Sequence, residues 1–229
     1  KNYNEKKIKI LFIGSINNPQ DFYLKGGLYV IEVFKRLCKR KDVELIIRCN
    51  IPKEVNAKIL EIPGIILLED IIPFKEVIKL YGDSHILFMP GHNYSISAFL
   101  EGMAHGLPII ALNTFGVKHL IKNHYNGIIV KRSNKIKGYN DESYPSIKKE
   151  DRFMNEIKNV HDTKLIDRLV NQLEYLIKNP KLIKNMGENS RKEYESRFTI
   201  KIRNKALKKV FDEILSESEN PKPSSVKVA

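Results

Sequence analysis

Short apolar runs recur at near-regular intervals through the first 131 residues, and the segments between them carry helical periodicity. The runs are KIKILFIGS (7–15), VELIIRC (43–49), GIILLED (64–70), HILFMP (85–90), LPIIALN (107–113) and NGIIVK (126–131). Continuous apolar runs of this length, bounded by turn residues, read as strands buried on both faces, which is the parallel-sheet pattern. Val30, Ile31, Phe34, Leu37 and Cys38 recur at helical spacing, so an amphipathic helix is expected over roughly 26–40. PFKEVIKLYGDS (73–84) gives a helix with Val77, Ile78 and Leu80 inward, and shorter helices are expected at 52–60, 96–105 and 116–123. Alternation at this spacing predicts βαβ units, hence an α/β fold: a doubly wound, mostly parallel six-stranded sheet.

After residue 131 the rhythm stops. Residues 132–162 are polar and mixed in charge, and read as a surface excursion with one helical turn near 150–158. Closing helices follow at about 163–178, 180–195 and 199–215, with Asn179-Pro180 as the break between the first two. Their Leu/Ile pattern reads as core packing. The domain is therefore expected to span 1–215, with 216–229 a flexible tail rich in Ser, Pro and Lys.

Charge narrows the partners. The chain of 229 residues has a net charge of +13, which suits an anionic ligand or an anionic membrane surface. The lysines are scattered, and no basic stretch is interleaved with stacking aromatics, so nucleic acid is not expected. The longest apolar stretch, IPGIILLEDIIPF, is interrupted by Gly64, Glu69 and Asp70, so no membrane span is expected. No signal peptide is expected from the opening residues. Cys38 and Cys49 lack metal-ligand spacing and read as reduced thiols of a cytoplasmic protein, with the inner membrane face as its peripheral location. The histidines have no ligand spacing, so no metal and no bound cofactor is expected. The first residue is Lys1 rather than Met, which fits a piece of a longer protein.

In an open parallel sheet, ligands bind beyond the carboxyl ends of the strands. Three loops lie there: Gly14–Gly27, Glu69–Pro73 and Pro90–Ile96. The first carries Lys25-Gly26-Gly27 at a helix start, where glycines admit a close ligand and the helix amino end attracts anions. The third, GHNYSIS, feeds a second helix start, with Ser95 and Ser97 as candidate caps. Two helix starts and one lysine suit a diphosphate. Glu101 then stands about one turn into the second helix, among Phe99, Leu100, Met103 and Ala104. An acceptor-only carboxylate there can take both hydroxyls of a ribose diol. The plainer reading of each residue is a solvated Lys25, an exposed Glu101 and a loop His92. Asn113, Thr114 and Gly116 reach the same crevice or simply turn the chain.

The strand and loop ILFIGS…LKGG, then EGMAHGLPIIALNTFGVKHLIKNHYNGIIV, resemble the carboxyl-terminal half of group 1 glycosyltransferases. The resemblance covers about residues 8–131 and resumes in KNPKLIKNMGENSRKEYESRFT. It implies a Rossmann-like domain, half of a GT-B fold, that binds a nucleotide-diphosphate sugar as donor and transfers a hexosyl group with retention and without metal. It also implies an amino-terminal partner domain for the acceptor. The donor would be held by Gly14, Ser15, Lys25, Gly26, His92, Asn93, Tyr94, Ser95, Ile96, Ser97 and Glu101. Lys25, Asn93 and Glu101 would occupy the catalytic positions.

Two positions depart from the family pattern. The first of two glutamates, which in the family contacts the donor sugar, falls on Asn93. The usual arginine after the first strand's glycine falls on Ser15. Lys118 or His119 is the candidate compensating cation. Asn93 and Ser15 also favour a second reading, a non-catalytic relative serving as a binding or interaction subunit. No G-x-G-x-x-G follows the first strand and no P-loop is present, which disfavours other nucleotide-binding classes.

Overall fold

The apolar runs form the strands they suggest, the central ones covered on both sides and the edge strand Ile65–Leu68 only partly. β1 (Ile8–Ile13) buries Ile10, Leu11 and Phe12 almost completely, and β4 (Ile86–Met89) and β5 (Ile109–Leu112) are buried at every position. A computed structural model describes residues 7–14, 16–93, 95–137 and 147–219. The remaining strands are β2 (Val43–Arg48), β3 (Ile65–Leu68) and β6 (Gly127–Val130). All pairings among them are parallel, in the order β3-β2-β1-β4-β5-β6.

That order sets the crevice. β1 pairs β2 from Ile8↔Val43 to Ile13↔Arg48, and on its other side pairs β4 at Ile10↔Ile86 and Leu11↔Leu87. The chain winds outward to β3, returns across β1, and winds outward again to β6. The reversal leaves a gap beyond the carboxyl ends of β1 and β4, where adjacent loops diverge.

The helices of the two halves are α1 (Asp21–Leu24), α2 (Gly27–Leu37), α3 (Lys53–Leu60), α4 (Phe74–Asp83), α5 (Ile96–Ala104) and α6 (Val117–Leu120). Three helices close the chain: α8 (Thr163–Ile177), α9 (Pro180–Arg197) and α10 (Ile200–Glu219), preceded by α7 (Ile147–Asn159). α2 packs on α8, and α5 on α9. The Arg191 guanidinium of α9 donates to the Ala104 carbonyl, capping α5 from outside. The Asn126-Gly127 pair is structural. Buried Asn126 accepts from the Lys122 N–H at 2.7 Å and donates to the Leu120 carbonyl at 3.0 Å. A Cβ on Gly127 would stand 2.3 Å from the Ile109 carbonyl oxygen, so only glycine lets β6 approach β5.

Three segments differ from the sequence expectation. The loop after β1 contains α1, whose Phe22 and Tyr23 are buried, with Phe22 edge-on to Phe12. The expected single turn near 150–158 is instead the 13-residue α7, which tucks Phe153 and Ile157 into the core. Its polar composition hid those two anchors. The last helix departs most: α8 and α9 are core-packed, whereas Leu207, Val210, Phe211, Ile214 and Leu215 of α10 are exposed. The expected flexible tail begins inside α10, whose backbone is helical to Glu219, and the rest of it (220–229) lies outside the described residues, as do 138–146. Among the described residues, no helix is long and apolar enough to cross a membrane.

Candidate functional site

A cleft of about 440 Å³ opens where the topology reverses. Ile13 and Gly14 from the end of β1 form its floor, with Arg48 from the end of β2. Asp21 and Lys25 enter from α1 and the turn after it. Phe74, Val77 and Tyr81 of α4 form one wall, and Ser95, Ser97, Ala98 and Glu101 at the start of α5 form the other.

Local hydrogen bonds fix the two loops to each other. The His92 N–H donates to the Leu24 carbonyl at 2.8 Å. Gly26 has φ +83°, and a Cβ there would fall 2.1 Å from the Pro90 carbonyl oxygen. The turn before α2 therefore lies against the loop after β4, which only a glycine permits. As a result Lys25 and Asn93, 68 residues apart, meet: Lys25 Nζ donates to Asn93 Oδ1 at 3.2 Å. Burial lowers the Lys25 pKa, and the neighbouring Asp21 charge partly opposes that shift. An amide neutralises none of the lysine's charge, so a ligand anion would gain from the approach.

The serines play a different part from the one expected. Ser95 is the residue before α5, yet its side chain makes no capping hydrogen bond, and the Gly26 position before α2 has no side chain to cap with. Both helix starts therefore lack side-chain caps, which leaves first-turn N–H groups available to an anion. Where the two helix walls meet, Glu101 of α5 lies beside the Tyr81 hydroxyl of α4. Burial first, then the Glu101 carboxylate, pushes the tyrosine well above the usual phenol range.

Of the residues singled out from sequence, the structure brings Gly14, Lys25, Ser95, Ser97 and Glu101 into one cleft, with Asn93 bonded to Lys25. Gly26 acts through the loop contact. Ile96 is half exposed and does not line the cleft. Ser15 and Tyr94 lie outside the described residues. His92 goes elsewhere: its ring is buried between Tyr29 and Phe153, in a separate cavity of about 210 Å³. Burial lowers its pKa to about 3, so it is neutral there. Lys118 and His119 stand exposed on α6, away from the cleft. Among the described residues, no three His, Cys, Asp or Glu side chains come together as a metal site.

Sequence reasoning missed Asp21, Arg48, Phe74, Val77 and Tyr81. Arg48 carried a signal: it is the charged end of an otherwise apolar strand next to β1. Asp21 carried one in the Phe22-Tyr23 pair that follows it, which marks a buried turn rather than an open loop.

Comparison with known proteins sets this geometry in a family. The family model of group 1 glycosyl transferases matches residues 7–141. An uncharacterized glycosyltransferase of Haemophilus influenzae is 27% identical over 177 residues, covering 74% of this chain and 41% of its own length. The chain thus spans less than half of that curated relative. Among solved structures, the carboxyl-terminal domain of the group 1 glycosyl transferase LpcC from Francisella tularensis superposes with a TM-score of 0.60 at 17% identity, covering 84% of this chain and 87% of that one. HepE of Anabaena, solved in complex with UDP and glucose, superposes with a TM-score of 0.61 at 11% identity, over 91% of this chain and 49% of that one.

Proposed function

The chain belongs to the group 1 glycosyl transferases, and on that premise we propose that it is the donor-binding half of an enzyme that transfers a hexosyl group from a nucleotide-diphosphate sugar. The observation that carries the reading is the cradle at the β1–β4 switch point. It holds a half-buried lysine whose hydrogen bond goes to an amide, two helix starts without side-chain caps, and the Glu101 carboxylate in the same cleft. The diphosphate fits the lysine and the helix N–H groups, and the ribose diol fits Glu101. Lys25 then stabilises the leaving nucleotide diphosphate as the glycosidic bond breaks. The UDP and glucose found with HepE support a donor of this class.

The relatives' greater length supports an acceptor site in a separate amino-terminal domain. In that arrangement the acceptor hydroxyl attacks from the partner domain's side, with retention as the family pattern implies. A cytoplasmic location, with the basic surface on an anionic inner membrane face, completes the proposal. A second reading has one observation in its favour: Asn93, where the pattern has a glutamate, bonds to Lys25 and brings no charge to a donor sugar. It describes a domain that binds the nucleotide sugar without turning it over.

Calorimetric titration with UDP, GDP and ADP and their sugar conjugates tests the proposal. Saturable binding of one series is expected, weakened by roughly 10-fold or more in Glu101→Ala, the range for a charge-assisted hydrogen bond. Absence of binding by every nucleotide to the folded chain rejects it.

A further inference from the structure

The cleft has a second cation that the family pattern does not supply. Arg48 closes β2, half buried, and its carbonyl accepts the Gly14 N–H at 2.9 Å. Its side chain turns back over the end of β1, where Nη1 reaches the Gly14 carbonyl at only 3.4 Å. Its Nε is buried without a hydrogen-bond partner. Among the described residues, no carboxylate pairs with it. Guanidinium donors buried this way are normally satisfied, so the group has bonding capacity in reserve.

The Lys25 stem approaches the same glycine. A Cβ built on Gly14 would stand 4.0 Å from Lys25 Cγ. Gly14 thus meets the Arg48 guanidinium, from the end of β2, and the Lys25 stem, from the α1–α2 turn, and both side chains line the one cleft. Neither is neutralised by a hydrogen-bonded carboxylate. A planar, permanently charged fork beside a flexible ammonium suits an anion with several oxygens.

We propose that Arg48 binds the diphosphate of the donor from the β2 side, together with Lys25, and supplies the fixed cation that position 15 lacks. This rests on the donor-binding reading above. It replaces Lys118 and His119, which stand away from the cleft, as the source of the compensating charge. Arg48 reaches the phosphates from a neighbouring strand rather than from the loop after β1.

The test is calorimetric titration of the wild-type chain, Arg48→Gln and Arg48→Lys with UDP, UMP and uridine, with the guanosine and adenosine series in parallel. Circular dichroism reports folding. Arg48→Gln is expected to lose roughly 10- to 100-fold in affinity for the diphosphate, the range for one charge-assisted contact. The loss for the nucleoside is expected to stay within about 3-fold, and Arg48→Lys to fall between wild type and Arg48→Gln. Equal losses for diphosphate and nucleoside, or no loss at all, overturn the assignment. If Arg48→Gln unfolds, Arg48→Lys decides: a loss selective for the diphosphate supports the proposal, and a uniform loss or none overturns it. Failure of the wild-type chain to bind any series removes the donor reading itself, and this inference with it, before any variant is measured.

Discussion

Two groups of cations in this molecule are treated in opposite ways. Lys122 and Arg197 converge on Glu193, at 2.6 Å and 3.2 Å. Glu193 is buried, and the two cations, hydrogen bonding to it, hold its carboxyl below the usual glutamate range, against the effect of burial. The charges close on one another and join α9 to the segment entering β6. In the cleft, Lys25 and Arg48 have an amide and a carbonyl as partners. The first arrangement spends its charge on the fold. The second holds charge against partly desolvated surroundings, which disfavours the empty state and favours an arriving anion.

The strongest way to break this comparison is Lys25→Met. Donor-nucleotide affinity should fall by roughly 30- to 100-fold, while the melting temperature stays level or rises. The sign follows from the lowered lysine pKa: wherever the lysine is protonated, its buried charge weighs against the folded state. A melting temperature that drops with the affinity would make Lys25 a structural residue like Lys122.

Glu193→Gln should do the reverse. It should lose roughly 1–2 kcal/mol of stability in denaturant titration at pH 7, because one buried carboxylate faces two half-exposed cations, and leave nucleotide affinity unchanged. Its carboxyl has a lowered pKa in the folded chain, so its contribution is complete above its ordinary value of 4.5 and fades as pH falls below that. The stability gap between wild type and variant should therefore narrow from pH 5 toward pH 3. A gap that persists there would deny the ion pairs their role.

The smallest effect sharpens the contrast. Asn93→Asp gives Lys25 a charged partner and converts the open arrangement toward the closed one. Stability should rise by a few tenths of a kcal/mol, and affinity for UDP and for its sugar conjugate should fall alike by about 3- to 5-fold. A gain in affinity for the sugar conjugate that UDP does not share would assign position 93 to the sugar rather than to the lysine.

Much of the cleft was legible because its parts sit at places the strand pattern marks. Lys25, Ser97 and Glu101 follow the ends of apolar runs, and parallel sheets put ligands there. Arg48 also ends such a run and was passed over because the second strand's end carries no glycine-rich turn to attract notice. His92 shows the opposite case. A histidine in a polar loop looks free, but its backbone N–H is held by the Leu24 carbonyl and its ring is buried between Tyr29 and Phe153. α10 resembled α8 and α9 in its apolar spacing. Periodicity reports that a helix has a face to cover and says nothing about what covers it.

The sequence alone determined the six strands, their parallel pairing, the helices between them and the end of the sheet where a ligand would lie. Those follow from local periodicity, turn residues and the handedness of βαβ crossovers, which act over tens of residues at most. Only the tertiary structure decided that Lys25 meets Asn93, that Arg48 rather than Lys118 or His119 stands in the cleft, and that α10 keeps an exposed apolar face. Those outcomes depend on which side of β1 each neighbouring strand takes and on sub-ångström fit around Gly14 and Gly26, and no stretch of sequence read by itself contains either.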